Sequence, residues 1–171
     1  TWPDTICVTV NLSPSQFSCS DLFGTVSNAL SRSRLRPDRL ELEITESVLL
    51  RDDPATLQTL HKLRALGVRI ALDDFGTGYS SLSNLRKFPF DKIKIDRSFI
   101  ADLSHANSNA IAVVRSIALL GIGLGKTTTA EGVETEEQCE RVRAEGCTEV
   151  QGFFIGKPCP AADVTRLLAA S

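Results

Sequence analysis

Six short segments of this chain repeat one pattern, an aliphatic row with polar or acidic residues opposite it and clustered toward the segment's C-terminal end. Side chains alternate along a strand, so the row and its opposite face can be read directly. In VTVN, Val8 and Val10 oppose Thr9 and Asn11; in LELEIT, Leu40, Leu42 and Ile44 oppose Glu41, Glu43 and Thr45. In RIALD, Ile70 and Leu72 oppose Ala71 and Asp73; in KIKID, Ile93 and Ile95 oppose Lys92, Lys94 and Asp96. Thr127, Thr129 and Glu131 share a side in TTTAEG, as do Glu149 and Gln151 in EVQGFF.

Helical patterns fill the intervals. Asp52 or Asp53 caps a helix that begins at Pro54, carries Leu57, Leu60, Leu63 and Leu66, and stops at Gly67. Ile111, Val114, Ile117 and Ala118 mark a second, residues 135–146 a third. Further helices are expected over residues 14–35 and 80–87 and after Pro160. Alternating strands and helices imply parallel βα units, in an open doubly wound sheet or a closed (β/α)8 barrel. A barrel gathers functional side chains from the ends of many strands, whereas an open sheet concentrates its site at one switch point. Six strands each contributing a polar residue favour the TIM-type barrel. Six is two short of closure, so residues 1–171 are expected to be the C-terminal two-thirds of a domain of about 250 residues, with the first strands upstream.

The densest chemistry lies in RIALDDFGTGYSS, where a buried strand runs into Asp73 and Asp74 and then into Gly76-Thr77-Gly78. Adjacent acids at the end of a buried strand are costly unless their charge is compensated. Carboxylate oxygens suit hard divalent ions; the plainer alternative is a helix cap and a solvated loop.

A net charge of −2 gives no broad basic surface for duplex nucleic acid. The five cysteines (Cys7, Cys19, Cys139, Cys147, Cys159) show no CxxC or zinc spacing and read as reduced, mostly buried thiols of a cytoplasmic protein. The apolar run over residues 111–124 is broken by Arg115 and too short to span a bilayer, so any membrane attachment is expected in segments outside this chain. GIGLGKTT (121–128) imitates a phosphate-binding P-loop, but its first glycine comes one residue late. A helix precedes it and a strand follows, the reverse of the P-loop order.

NLSPSQF, LELEITES, LDDFGTGYSSL, FDKIKIDRSFI, AEGVET and QGFFIGKP, in that order, closely resemble the EAL-type cyclic-di-GMP phosphodiesterases over essentially the whole chain. The resemblance implies a modified (β/α)8 barrel that hydrolyses cyclic-di-GMP to linear pGpG with magnesium or manganese, two ions being expected. It implies that Asn11, Glu43 and Asp73 ligate metal, that Asp73 bridges to a second ion with Asp74 beside it, and that Glu131 is a ligand or the general base. Lys94 would orient the attacking water and Gln151 support it. Glu46 and Glu134 would stand behind these groups, as would Asp96, with Glu46 steadying the DDFGTGYSS loop, which in this family lies near a homodimer interface. The glutamate-alanine-leucine signature that names the family does not occur in this chain, and with it a metal-ligating glutamate and a phosphate-holding arginine. The resemblance also implies an upstream sensory or diguanylate cyclase domain in the parent protein. Two readings follow: a metal-dependent hydrolase, or an inactive sensor that binds the dinucleotide. No acid of the DDFG or AEGVET blocks is missing, which favours the hydrolase.

Overall fold

Each aliphatic–polar segment forms a strand in the computed structural model, which describes residues 2–19, 21–50, 53–78, 82–105 and 108–170. The strands are β1 (Val8–Leu12), β2 (Leu40–Thr45), β3 (Arg69–Phe75), β4 (Lys92–Ile95), β5 (Thr127–Glu131) and β6 (Glu149–Gln151). They form one parallel sheet in chain order, β1-β2-β3-β4-β5-β6. That order never reverses, so there is no switch point, and the open doubly wound alternative is excluded.

The sheet is curled. Lys92 on β4 lies 3.0 Å from Glu41 on β2 and 2.7 Å from Glu149 on β6. In a flat sheet those outer strands would stand about 19 Å apart, four strand spacings; one ammonium reaches both because the strands wrap around it. The result is a partial TIM-type barrel. Glu41, Lys92 and Glu149 form one interior layer contributed by alternate strands, as barrel packing requires.

The aliphatic rows face outward under the helices: α1 (Gln16–Cys19), α2 (Leu22–Ser33), α3 (Glu46–Leu50), α4 (Pro54–Ala65), α5 (Leu82–Lys87), α6 (Arg97–Ala101), α7 (Ser108–Leu124), α8 (Glu136–Ala144) and α9 (Ala161–Ala170). Ile70, Leu72, Ile93 and Ile95 are fully buried in one cluster with Leu60 and Leu63 of α4 and Val114 of α7. Each such side chain contributes about 1.5–3 kcal/mol by leaving water. Val8 and Val10 on the edge strand β1 are exposed.

Several local expectations are corrected. The helix expected over 14–35 is two, because the Asp21 carboxylate accepts the Gly24 N–H at 2.9 Å and starts α2 afresh. Asp53, not Asp52, caps α4, accepting from the N–H groups of Ala55 and Thr56; Asp52 lies outside the described residues. The short helix expected over 80–87 begins at Leu82, residues 80 and 81 also lying outside them. Two single-turn helices, α3 opening at Glu46 and α6 at Arg97, add to the helices expected. The third helix, by contrast, opens at Thr135 as expected, with a capping box between Thr135 and Gln138 and with Glu136 and Glu137 in its first turn.

The GIGLGKTT stretch is the C-terminal part of α7, a turn at Gly125 (φ +64°) and the start of β5, so no phosphate loop exists there. Gly121 is required because a Cβ at that position would lie 2.4 Å from the Thr128 methyl. Thr128 itself, a polar residue on the helix side of β5, is buried and well partnered. Its N–H donates to Thr148 Oγ1 at 2.8 Å, and Thr148 Oγ1 donates to the Thr128 carbonyl at 2.8 Å.

Four cysteines are described as free thiols. Cys139 and Cys147 are buried and Cys7 and Cys159 exposed, while the Cys19 side chain lies outside the described residues. Among the described residues no helix is long and apolar enough to cross a membrane.

Candidate active site

The polar face of the curled sheet ends in a charged mouth at the C-terminal ends of β2 to β5. Lys94 sits at its centre, 4% exposed. Its Nζ lies 2.5 Å from Glu43 of β2, 2.9 Å from Asp73 of β3 and 2.7 Å from Glu131 of β5. Strand alternation placed all four on the lumen side. The curl brings them to one point.

Asp74 arrives differently. Alternation would send it to the helix side, away from Asp73. The β3–β4 register shifts between Leu72 and Phe75, and Asp74 adopts the left-handed conformation with φ +54°. Aspartate tolerates that conformation better than most residues, and a bulge re-aims the side chains it interrupts. Carboxylate oxygens of Asp73, Asp74 and Glu131 therefore all lie within 4.8 Å of one another.

The electrostatics follow from this crowding. Burial works against the Lys94 charge, but pairing with Glu131, Glu43 and Asp73 outweighs it and raises the ammonium pKa above the ordinary value. Glu131 is pushed up by burial, reinforced by Asp73 and Glu43 and opposed by Lys94. Asp74 is pushed up by burial and then by its neighbours Asp73 and Asp96. Asp74 and Glu131, crowded and partly buried, hold protons more readily than acids in water.

The other expected residues take distinct places. Asn11 on β1 is the in-register partner of Glu43, with an exposed side chain. Gln151 on β6 is the register partner of Glu131, also exposed. Glu46 opens α3, is buried, and accepts the Gly78 N–H at 3.1 Å, tying the turn after Asp74. The Tyr79, Ser80 and Ser81 part of the loop assigned to a dimer interface lies outside the described residues. Asp96 follows the last β4 residue and caps α6, accepting from the Ser98 N–H at 3.0 Å and from the Ser98 hydroxyl. That capping, against burial, holds its carboxyl below the usual range. Of the two salt-bridge partners that the sequence offers Lys94, Asp96 and Glu131, the structure pairs it with Glu131, alongside Glu43 and Asp73. Glu134 carries an exposed side chain, and its backbone N–H donates to Gln138 Oε1.

Sequence reasoning missed the layer beneath. Glu41, Lys92 and Glu149 were legible as lumen-facing charges, but that one lysine would clamp both acids depends on the curl. Thr129 adds to this layer by donating to Glu149 at 3.0 Å. A cavity of about 370 Å³ opens at this opposite end, lined in part by Glu41, Arg69, Lys92 and Glu149. Its acids are already ion-paired, so the cavity offers no free donor set comparable to that of the C-terminal mouth.

The C-terminal mouth fits a hard dication. Its donors are carboxylate oxygens, three acids converge within chelating distance, and Asp73 Oδ1 is a buried oxygen with no hydrogen-bond donor. The Lys94 ammonium is 2.9 Å from that oxygen. Buried acceptors are rarely left so, and a cation satisfies one without a proton.

Comparison with known proteins agrees with this geometry. The EAL domain profile matches residues 2–158. An uncharacterized protein y4lL of Sinorhizobium fredii is 54% identical over 98% of the chain, which spans 20% of that protein. MucR of Pseudomonas aeruginosa, a bifunctional diguanylate cyclase/cyclic di-GMP phosphodiesterase, is 47% identical over 95% of the chain, which spans 24% of it. A structure of the MucR phosphodiesterase in complex with c-di-GMP superposes with a TM-score of 0.88 at 47% identity, covering 92% of this chain and 64% of that one. BlrP1 of Klebsiella pneumoniae, in a manganese/c-di-GMP complex, superposes with a TM-score of 0.81 at 36% identity, covering 90% and 39%. The chain thus spans only about a fifth to a quarter of the curated relatives it matches. With the profile matched nearly end to end and the strand-end acids in one mouth, this chain belongs to the EAL domain family.

Proposed function

We propose that the protein hydrolyses one phosphodiester bond of cyclic-di-GMP to give linear pGpG, using magnesium or manganese, and so lowers the level of this second messenger. The observation that carries the reading is the convergence of Glu43, Asp73 and Glu131 on Lys94, with Asp74 turned in beside them. MucR and BlrP1, both solved with c-di-GMP and the latter with manganese, support the substrate and the metal class. Asn11, Glu43, Asp73, Asp74 and Glu131 would hold two ions, which when bound supply an activated water and offset phosphoryl charge.

The residues of the chain do the rest. Glu131, whose proton affinity is raised by burial, takes the proton of the attacking water. A positioned base of this kind contributes about 10²–10⁴-fold. Lys94, fixed by three carboxylates, presents a positive charge where the phosphoryl oxygens gain negative charge. Gln151 supports the water from the neighbouring strand. Glu46 holds the turn behind Asp74, Asp96 fixes the start of α6, and Glu134 stands on the rim. The remaining proposals concern the whole protein: strands completing the barrel and a sensory or diguanylate cyclase domain upstream, a homodimer through the 73–81 loop, and a cytoplasmic location.

The test is direct. The protein carrying this chain is incubated with cyclic-di-GMP and magnesium or manganese, or with EDTA, and pGpG is measured. Product that requires the dication and disappears in Glu131→Ala supports the hydrolase; tight binding with no pGpG in any metal replaces it with the sensor.

A further inference from the structure

We propose that Lys94 is an internal cation that competes with the dication for Glu43, Asp73 and Glu131, and thereby sets the metal affinity of the mouth. The proposal rests on the hydrolase reading and deepens it. Three carboxylates from three strands converge on one ammonium, at 2.5, 2.9 and 2.7 Å. Lys94 projects from the interior of β4 and is almost wholly buried, so it cannot withdraw into solvent as a surface lysine would. A dication entering the mouth therefore meets ligands whose charge is already partly neutralised.

The three contacts are unequal, which gives the competition a direction. Glu43 and Glu131 lie 2.5 and 2.7 Å from the Lys94 Nζ and Asp73 lies at 2.9 Å, and the buried Asp73 Oδ1 is left without a hydrogen-bond donor. Asp73 also belongs to the trio of acids, with Asp74 and Glu131, whose oxygens lie within chelating distance. Lys94 thus engages Glu43 most closely and leaves Asp73 for a metal ion. A lysine that served only to orient water would leave metal affinity untouched, and one that only preorganised the ligands would lower it when removed. Competition predicts the opposite sign: removing the charge raises affinity, while the metal-free protein loses stability through carboxylate repulsion.

The experiment uses the protein carrying this chain, with Lys94→Met and Lys94→Arg. Manganese binding is measured by calorimetry, and melting is followed in EDTA and in manganese, with circular dichroism to verify the fold. A charge within reach of a carboxylate shifts its affinity for a proton by 1–3 logarithmic units, so Lys94→Met should bind manganese at least about 10-fold more tightly. It should also melt lower in EDTA and gain a larger manganese-induced shift than wild type, whereas Lys94→Arg should stay near wild type. If Lys94→Met is unfolded in EDTA but folds and binds when manganese is added, the proposal is likewise supported. Equal or weaker manganese affinity in Lys94→Met, with wild type binding normally, overturns this inference alone. No binding in either protein overturns the hydrolase reading with it.

Discussion

The buried carboxylate of Glu46 accepts the Gly78 N–H at 3.1 Å, linking the first turn of α3 to the turn that follows the two aspartates of β3. The approach is close: a Cβ at Gly78 would lie 2.9 Å from the Glu46 carboxyl carbon. Gly78→Ala should therefore push the turn off Glu46 and shift Asp74. A misplacement near 1 Å at a reacting centre costs on the order of 100-fold, so kcat/KM for cyclic-di-GMP should fall by about 10- to 100-fold. The melting temperature should drop by only about 2–4 °C, the response to 1 kcal/mol in a domain of this size. Unchanged kcat/KM in a folded Gly78→Ala protein would remove the link between Glu46 and the aspartates.

Burial raises the proton affinity of the Glu131 carboxyl, and its oxygen contacts Lys94. Glu131→Gln preserves size and hydrogen bonding but abolishes the base. Turnover should fall by about 10²–10⁴-fold, while cyclic-di-GMP binding, measured by calorimetry in calcium, persists. Full turnover in this variant would assign the base elsewhere.

In the lower layer, Lys92 clamps Glu41 and Glu149 across the lumen, and its pKa is raised because the two carboxylates outweigh the penalty of burial. The Glu41 side chain is 6% exposed and would be left without a counter-charge in Lys92→Met. Breaking a buried pair from one side costs about 3–5 kcal/mol. Adding Glu41→Gln to Lys92→Met should recover part of that loss in urea unfolding. A cost below about 1 kcal/mol for Lys92→Met would place the pair with surface salt bridges.

Glu149 gives the same layer a pH dependence. Burial pushes its carboxyl up, but Lys92 and Thr129 outweigh it, so its pKa in the folded state lies below the ordinary 4.5. A carboxyl depressed on folding contributes stability above its unfolded value and loses it as pH falls through the folded one. The unfolding free energy lost in Glu149→Gln should be constant between about pH 6 and 8 and shrink below about pH 4.5. A difference that grew on acidification would reverse the sign.

What could be read in the sequence was what a period of two controls. Glu43, Asp73, Lys94 and Glu131 were assignable to the lumen because alternation is a geometric property of any strand. Asp74 was legible as a metal candidate beside Asp73, but alternation alone turns it to the helix side, and what brings it in is a bulge and a left-handed backbone that leave little mark on composition. For Asp96 the error ran the other way: alternation continued it into the lumen, but β4 ends at Ile95 and the carboxylate caps α6. The one-turn helices α3 and α6 are too short to show a helical period. The Lys92 clamp was hidden because its partners lie on strands two positions away, and only curvature brings such residues together.

Thr128 and Thr148 show how a polar residue can belong in a buried strand, and they separate two effects of one hydroxyl. Thr148 Oγ1 both accepts the Thr128 N–H and donates to the Thr128 carbonyl, each at 2.8 Å. Thr148→Val deletes both bonds and leaves the N–H of a buried residue without an acceptor, which costs about 1–3 kcal/mol. Thr128→Val removes an oxygen 3.4 Å from the Thr148 N–H. That N–H keeps the Thr128 carbonyl at 3.1 Å, so the change should cost less than about 1 kcal/mol. Urea unfolding of the two variants should therefore rank Thr148→Val as clearly the more damaging, although Thr148 is the more exposed residue. The reverse ranking would mean that the packing of Thr128 against Gly121, rather than the paired hydroxyl, holds β5 to the start of β6.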